Sequence, residues 1–190
     1  TGSTFSWTAT GSANASGFSA GSGTIITDRL VNDSNSSSAT VTYTITPFYE
    51  GCTGEPFNLT VIVMPKPAMT VTAESTSICS GQKVVIRLSP SIPNTTYTWI
   101  SSVSDPLISG NSETSIALSI TQIEDILFNK SATAGTVTYQ ITPISSDGCA
   151  GDTQSISITV KAGAPNTIST NQTICEGTAP VALTGNIPTG

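Results

Sequence analysis

Residues 137–143 read Val-Thr-Tyr-Gln-Ile-Thr-Pro, and residues 41–47 read Val-Thr-Tyr-Thr-Ile-Thr-Pro. The second heptapeptide repeats the first at a spacing of 96 positions. In both, apolar side chains occupy every second position, a pattern typical of a strand with one buried face. A strand of this kind, present twice at a domain-sized spacing, predicts a tandem β fold.

Three further landmarks recur in the same order. Gly-Cys-Thr-Gly at residues 51–54 returns as Gly-Cys-Ala-Gly at 148–151, and Ile-Cys-Ser-Gly at 78–81 returns as Ile-Cys-Glu-Gly at 174–177. Trp7 has a counterpart in Trp99, 92 positions later. Together the four landmarks define a repeat of about 95 residues, which is the size of an immunoglobulin-like β-sandwich.

The landmarks divide the chain into one complete repeat and two partial ones. Residues 66–161 form the complete β-sandwich repeat. Residues 1–65 are the C-terminal part of a first repeat, and residues 162–190 are the first two strands of a further one. The fold class is therefore all-β, with tandem immunoglobulin-like antiparallel β-sandwich domains. The proline-bearing junctions at 65–67 and 161–165 are expected to be semi-rigid.

The two ends of the chain also match each other. Overlaying Thr189-Gly190 on Thr1-Gly2 gives Ile-Pro-Thr-Gly-Ser-Thr-Phe-Ser-Trp, in which Leu183 precedes Trp7 by 12 positions. In the complete repeat Leu88 precedes Trp99 by 11 positions. We therefore expect the chain to be one period of a longer array, in which the end of one copy completes the beginning of the next.

The complete repeat contains six segments with strand-like alternation, and four aromatic residues mark the expected cores. Trp99 falls on the third strand, where immunoglobulin-like domains bury a tryptophan, and Tyr139 begins the penultimate strand, as a tyrosine corner does. Trp7 and Tyr43 are their counterparts in the first repeat. Residues 123–129 alone are expected to be helical. The predicted strands lie at residues 69–74, 83–88, 96–100, 115–120, 136–142 and 155–160.

The composition excludes several classes of function. Charged residues make up 9% of the 190 residues, with 12 acidic and 6 basic, which argues against a nucleic-acid partner. No stretch is apolar enough for insertion into a membrane. Histidine is absent, so no histidine base can activate a serine or cysteine nucleophile, and we expect no enzymatic activity.

The acidic residues give weak evidence for a carboxylate or metal site. The adjacent pair Glu124 and Asp125 is expected to lie in a solvated loop or turn. The acidic residues that flank loops lack the dense run that calcium loops contain. We expect no cofactor, with structural calcium as the alternative. The loop pairs are Asp28 with Asp33 and Asp147 with Asp152.

The four cysteines, Cys52, Cys79, Cys149 and Cys175, are candidates for disulfides because no CxxC zinc spacing occurs. An immunoglobulin-like topology places Cys79 and Cys149 at opposite ends of their domain, which favours bridges between neighbouring domains or copies. The equal spacings of 27 and 26 suggest Cys52–Cys79 and Cys149–Cys175 instead, although strand direction argues against these pairs. Free, buried thiols are the third alternative.

The repeated motifs, together with Leu-Thr-Val-Ile-Val-Met-Pro-Lys-Pro at residues 59–67, resemble the PKD-like repeats of giant Bacteroidetes surface adhesins, including gliding-motility adhesins similar to SprB. The resemblance covers essentially the whole chain and carries no catalytic residue. It implies an extracellular, outer-membrane-associated protein exported by type IX secretion.

These patterns predict a structural or adhesive repeat segment of a long bacterial cell-surface filament. The expected partners are neighbouring repeats or copies of the same protein, including strand exchange between copies, and surface polysaccharide. The alternative is a carbohydrate-binding module of a secreted polysaccharide-degrading protein. Such a module needs a row of exposed aromatics, and Phe48 and Tyr49, beside the Cys52 hairpin, are placed to contact a sugar or a neighbouring domain.

Overall fold

A computed structural model describes residues 2–163 and 172–180. Every regular element in this part of the chain is a β-strand, which confirms the predicted all-β fold. β-Branched residues explain this outcome, because Ile and Val fit a pleated surface and lose rotamer freedom in helices. The strands fall into two units joined at residues 64–68.

The first unit is built mainly from one sheet. Four strands follow the order β3-β1-β5-β6, and the last strand, β7, pairs with β5. Two short strands, β2 and β4, form a separate ribbon. The strands of this unit are β1 (Thr4–Gly11), β2 (Ala15–Ser16), β3 (Gly21–Gly23), β4 (Val31–Asn32), β5 (Ala39–Tyr49), β6 (Cys52–Thr53) and β7 (Phe57–Val63).

The second unit is a sandwich of two sheets. One sheet has the order β12-β14-β10-β8, and the other has the order β13-β11-β15-β16-β9. Its strands are β8 (Met69–Ala73), β9 (Ser77–Cys79), β10 (Gln82–Pro90), β11 (Thr96–Val103), β12 (Ile108–Ser109), β13 (Thr114–Leu118), β14 (Gln122–Asn129), β15 (Gly135–Ile144) and β16 (Gln154–Lys161).

The core of the second unit lies between these two sheets. Alternation along each strand sends every second side chain inward, where the two sheets bury it. Val84, Ile86 and Leu88 of β10 form one wall. They meet residues from the opposite sheet, among them Tyr97, Trp99, Val137, Tyr139, Ile141, Ile158 and Val160.

Most predicted strands of the second unit are confirmed, and two expectations are wrong. Residues 123–129 are not helical, because they belong to β14 and alternate between buried and exposed positions. The segment around residues 115–120 is a strand, β13, but its apolar residues do not form a buried face: Ile116 is 72% exposed. β13 lies at the edge of its sheet, and both Ile116 and Leu118 are exposed there.

The junction between the units is held by close contacts. Pro65 and Pro67 are buried. The carbonyl oxygen of Asn35, in the first unit, accepts a hydrogen bond from Ser91 Oγ, in the second unit, at 2.6 Å. A Cβ atom built on Gly151 would lie 1.9 Å from the carbonyl oxygen of Pro67, so the β15–β16 hairpin packs directly on the linker backbone.

Candidate interaction site

A hydrogen-bonded network around Asp125 crosses the core of the second unit. Tyr139 donates its hydroxyl proton to Asp125 Oδ2 at 2.5 Å, and Ser112 donates both its backbone N–H and its hydroxyl to the same oxygen. Trp99 Nε1 donates to the Ser112 carbonyl oxygen at 3.1 Å. Because buried polar groups need partners, this network fixes β11, β14 and β15 relative to one another.

This network corrects two expectations from the sequence. Asp125 is buried rather than solvated, since strand alternation turns it inward while Glu124 points outward and pairs with Lys83 at 2.6 Å. Tyr139 does not begin its strand, because it is the fifth residue of β15. In a tyrosine corner the hydroxyl bonds to the backbone a few residues upstream. The Tyr139 hydroxyl instead donates its hydrogen bond to the carboxylate of Asp125.

The first unit contains the same network at equivalent positions. Tyr43 donates to Asp28 Oδ2 at 2.7 Å, and Ser19 donates its backbone N–H and its hydroxyl to the Asp28 carboxylate. Tyr43 is buried, whereas Trp7 is half-buried and its Nε1 has no hydrogen-bond partner among the described residues. The two networks serve packing in both units, although in the first unit Ser19 is exposed and Asp28 is only half-buried.

The tyrosines of these networks predict a loss of stability at alkaline pH. Burial, together with the hydrogen bond to Asp28, raises the pKa of Tyr43 to about 12, and burial and Asp125 also raise the pKa of Tyr139. Because unfolded tyrosines release their protons near pH 10, the stabilisation is complete below pH 10 and is lost as the pH rises toward 12. We expect urea-unfolding free energies to decline above about pH 10. The Tyr139→Phe variant should show a shallower decline, and an equally steep one would contradict the assignment.

The four cysteines are free thiols in the structure. Cys79 ends β9 beside Lys161, whereas Cys149 lies in the β15–β16 hairpin, where its carbonyl oxygen accepts a hydrogen bond from Ser145. The eight residues of β16 separate these two ends by about 26 Å, far beyond the Cα separation of a disulfide. Cys52 occupies the corresponding hairpin of the first unit, and Cys175 lies in the described segment 172–180. Disulfides to a neighbouring domain or copy stay a prediction.

The inner face of the first sheet is incompletely covered. Phe5 is 36% exposed, whereas its counterpart Tyr97 in the second unit is 1% exposed. Ile45 is half-buried although its counterpart Ile141 is fully buried. A groove of about 250 Å³ opens on this face, and its lining is mostly apolar: Phe5, Trp7, Gly23, Thr24, Ile25, Ile26 and Ile45.

Outside this face, the described residues offer little chemistry. Residues 2–163 and 172–180 contain no cluster of three or more His, Cys, Asp or Glu residues that could hold a metal ion. No helix long and apolar enough to cross a membrane occurs in the same part of the chain. Phe48 and Tyr49 are exposed at the end of β5, as the sequence placed them beside the Cys52 hairpin.

The family model for the PKD-like domain matches this chain twice, at residues 1–67 and 76–164. These two segments cover most of the 190 residues and correspond to the two units of the structure. The chain belongs to the PKD-like domain family. PKD-like all-β domains are typically non-catalytic, which agrees with the structural role of the Tyr–Asp networks.

Other comparisons add less to the PKD-like assignment. No curated protein matches the sequence. Among solved structures, the crystal structure of domains 4 and 5 of the S-layer protein SbsC is 17% identical, with a TM-score of 0.36. The similarity covers 66% of this chain and 65% of that one, and we base no argument on it.

Proposed function

We propose that this PKD-like chain is a structural and adhesive segment of a long filament or adhesin on the outside of a bacterial cell, and that its units resist tension along the chain. The observation that carries the proposal is the parallel pairing of β9 with β16. These are the second and the last strand of the second unit, so a strand near each end of the unit shares one ladder, while the first strand, β8, pairs with β10 in the other sheet.

The parallel pairing determines how tension would act on the second unit. Ser77, Ile78 and Cys79 pair with Thr159, Val160 and Lys161, and the two strands run in the same direction. Once β8 has separated from β10, tension draws β9 toward the preceding unit and β16 away from it. The pull therefore acts along the strands in opposite directions and loads their hydrogen bonds together rather than one after another.

The junction supports the same role. Buried prolines, the Ser91–Asn35 hydrogen bond and the contact of Gly151 with the linker all restrain movement between the two units. A restrained junction passes tension from one unit to the next and favours an extended arrangement. The low charge and the abundance of Ser and Thr suit contact with polysaccharide or abiotic surfaces.

The narrower assignments rest on the sequence resemblance alone. They are a gliding-motility adhesin of Bacteroidetes, association with the outer membrane and export by type IX secretion. A carbohydrate-binding module has less support, because the exposed aromatics of the first unit are divided between the two faces of its sheet. Phe5 and Phe57 share the inner face with Trp7, whereas Phe48 pairs with Thr4 and points to the outer face.

Single-molecule pulling tests the mechanical proposal. With handles at both ends of the chain, we expect the second unit to unfold in one step that lengthens the chain by about 30 nm, since its roughly 96 residues extend by about 3.5 Å each. Thr159→Pro should lower the unfolding force markedly, because the Thr159 N–H donates to the Thr76 carbonyl oxygen at 2.8 Å and proline has no N–H.

Thr136→Pro is the matched control. Thr136 pairs opposite Thr159, but its N–H donates to Ser104 Oγ at 2.8 Å and lies outside the β9–β16 ladder. The unfolding force of the Thr136→Pro variant should stay near that of the parent, even if the thermal stability of the variant is lower. Equal losses of force in the two variants, or a parent that unfolds in many small steps, would count against the proposal.

A further inference from the structure

We propose that a groove on the outer face of the second unit binds an uncharged polysaccharide chain. Ile100 of β11 contacts the apolar side of a sugar ring, and Gln140 of β15 bonds to the sugar hydroxyls. The inference rests on the adhesive part of the proposed function, because it names the partner and the place of contact, and it does not depend on the mechanical part. Every residue that lines the groove lies within residues 98–153, all of which the structure describes.

The groove lies across β13, β11 and β15, which are neighbours in one sheet. Its volume is about 350 Å³, which is within the range of small-ligand sites. Trp99 and Tyr139 are buried, so strand alternation turns the next residue of each strand outward. These two outward residues are Ile100 and Gln140, and they lie directly opposite each other in the β11–β15 ladder.

Ile100 supplies an apolar contact between polar groups. It is 59% exposed, and it lines the groove together with Ser115 of β13 and Gln140 of β15. Because β13 and β15 flank β11, they lie about 10 Å apart, which is twice the spacing of neighbouring strands. A sugar ring placed over Ile100 therefore has polar side chains on both sides. This arrangement suits a ligand with an apolar ring face and a rim of hydroxyls.

Gln140 supplies hydrogen-bonding groups that the fold does not use. The polar side chains on either side of it are paired: Thr138 bonds to Ser157 at 2.9 Å, and Thr142 bonds to Thr153 at 2.8 Å. The side chain of Gln140 is exposed, and its amide has no hydrogen-bond partner among the described residues. An amide offers two donors and an acceptor, so it can bond to hydroxyl groups in either direction.

The absence of charge in the groove determines the class of ligand. None of the residues that line it is acidic or basic. An anionic polysaccharide would need lysine or arginine partners, and a cationic one would need carboxylates. Hydroxyl and amide groups instead match the hydroxyls of a neutral sugar. Because the groove lies on the outer face of a sheet, a polysaccharide can enter it along its length and needs no free chain end.

The first unit lacks these features at the equivalent positions. Thr8 and Thr44 stand where Ile100 and Gln140 stand, and they lie opposite each other in the β1–β5 ladder in the same way. The Thr44 hydroxyl donates to Asn58 Oδ1 at 2.8 Å, so the fold already uses it. The first unit therefore offers neither the apolar contact nor the free amide, and we assign the site to the second unit alone.

Two substitutions that copy the first unit test the site in the full chain. Ile100→Thr removes the apolar contact, and Gln140→Thr removes the amide. Both side chains are exposed and threonine suits a strand, so both variants should keep the fold. The matched controls lie outside the groove. They are Ile126→Thr, since Ile126 is 51% exposed on the other sheet, and Gln154→Thr, since Gln154 is exposed at the start of β16.

Native electrophoresis through gels that contain a polysaccharide measures the binding. The probes are three neutral polysaccharides, mixed-linkage β-glucan, galactomannan and dextran, and one anionic polysaccharide, polygalacturonate. At least one neutral polysaccharide should slow the parent chain and both controls, and polygalacturonate should not. Each groove variant should bind that neutral polysaccharide at least about 10-fold more weakly, because it loses hydrogen bonds or an apolar contact.

The outcomes distinguish this site from the adhesive function as a whole. If either groove variant binds as strongly as the parent, the groove is not the site, although the adhesive function stands. Stronger binding of polygalacturonate than of the neutral probes would contradict an uncharged ligand. A parent chain that binds none of the three neutral polysaccharides would overturn the inference and remove polysaccharide as the adhesive partner. The mechanical role would then still be tested by the pulling experiment.

Discussion

Replacement of Asp125 with alanine should lower the free energy of unfolding of the second unit by about 3 kcal/mol or more, because it leaves buried donors without an acceptor. The Tyr139 hydroxyl, the Ser112 backbone N–H and the Ser112 hydroxyl all donate to Asp125 Oδ2. Each unsatisfied buried donor costs on the order of 1–3 kcal/mol. Chemical denaturation followed by tryptophan fluorescence, with Trp7 replaced by phenylalanine so that Trp99 alone reports, measures the change.

Two tyrosines of the same core provide the control for this prediction. Tyr139→Phe should cost about 1–2 kcal/mol, since it removes one donor from Asp125. Tyr97→Phe should be nearly neutral or stabilising, because the Tyr97 hydroxyl is buried without a partner among the described residues. Asp125→Ala combined with Tyr139→Phe should cost less than the sum of the single changes. An Asp125→Ala variant within 0.5 kcal/mol of the parent, a change of the size usual for a neutral surface substitution, would refute the role of the network.

Gly151→Ala should disrupt the junction as strongly as a core substitution disrupts the sandwich. The added Cβ would lie 1.9 Å from the Pro67 carbonyl oxygen and 2.9 Å from Pro143 Cγ, so either the hairpin or the linker backbone must move. Backbone atoms yield less readily than the end of a flexible side chain, and we expect a loss of about 3 kcal/mol. Because the linker joins the units, small-angle scattering should also show a broader range of distances within the chain.

Gly54 is the matched control for Gly151, since it occupies the equivalent position in the first unit. A Cβ on Gly54 would meet the ring of Pro47 at 2.9 Å but no linker backbone within 3 Å. Gly54→Ala should therefore change the melting temperature less than Gly151→Ala does. It should leave the scattering profile unchanged. If both variants behave alike, the packing of Gly151 on the linker does not hold the junction.

The strands of the second unit were largely predictable because their burial follows simple alternation. Val84, Ile86 and Leu88 are apolar at every second position and are buried in β10, and the same holds for β15 and β16. In these strands the inward positions are apolar and the outward ones mainly polar. In these strands the alternation of the local sequence therefore predicts which side chains the tertiary structure buries.

The failure at residues 123–129 has a definite cause. Ile123, Ile126 and Leu127 have helix-like spacing, whereas the buried positions of β14 are Ile123, Asp125, Leu127 and Asn129. Two of the four inward positions are polar, so alternation of hydrophobicity could not identify the strand. Asn129 is buried because its side-chain amide donates to the carbonyl oxygens of Thr133 and Val160. A signal was available in the repeat, since Asp28 and Asn32 precede Asp125 and Asn129 by 97 positions.

The sequence by itself determined the all-β class and the positions of the strands with regular alternation, because repetition and period-2 alternation are local properties of the chain. Only the tertiary structure decided which polar residues turn inward and that β9 lies parallel to β16. These features depend on which distant segments meet. Burial of an aspartate is tolerable only where a distant tyrosine and serine supply its hydrogen bonds.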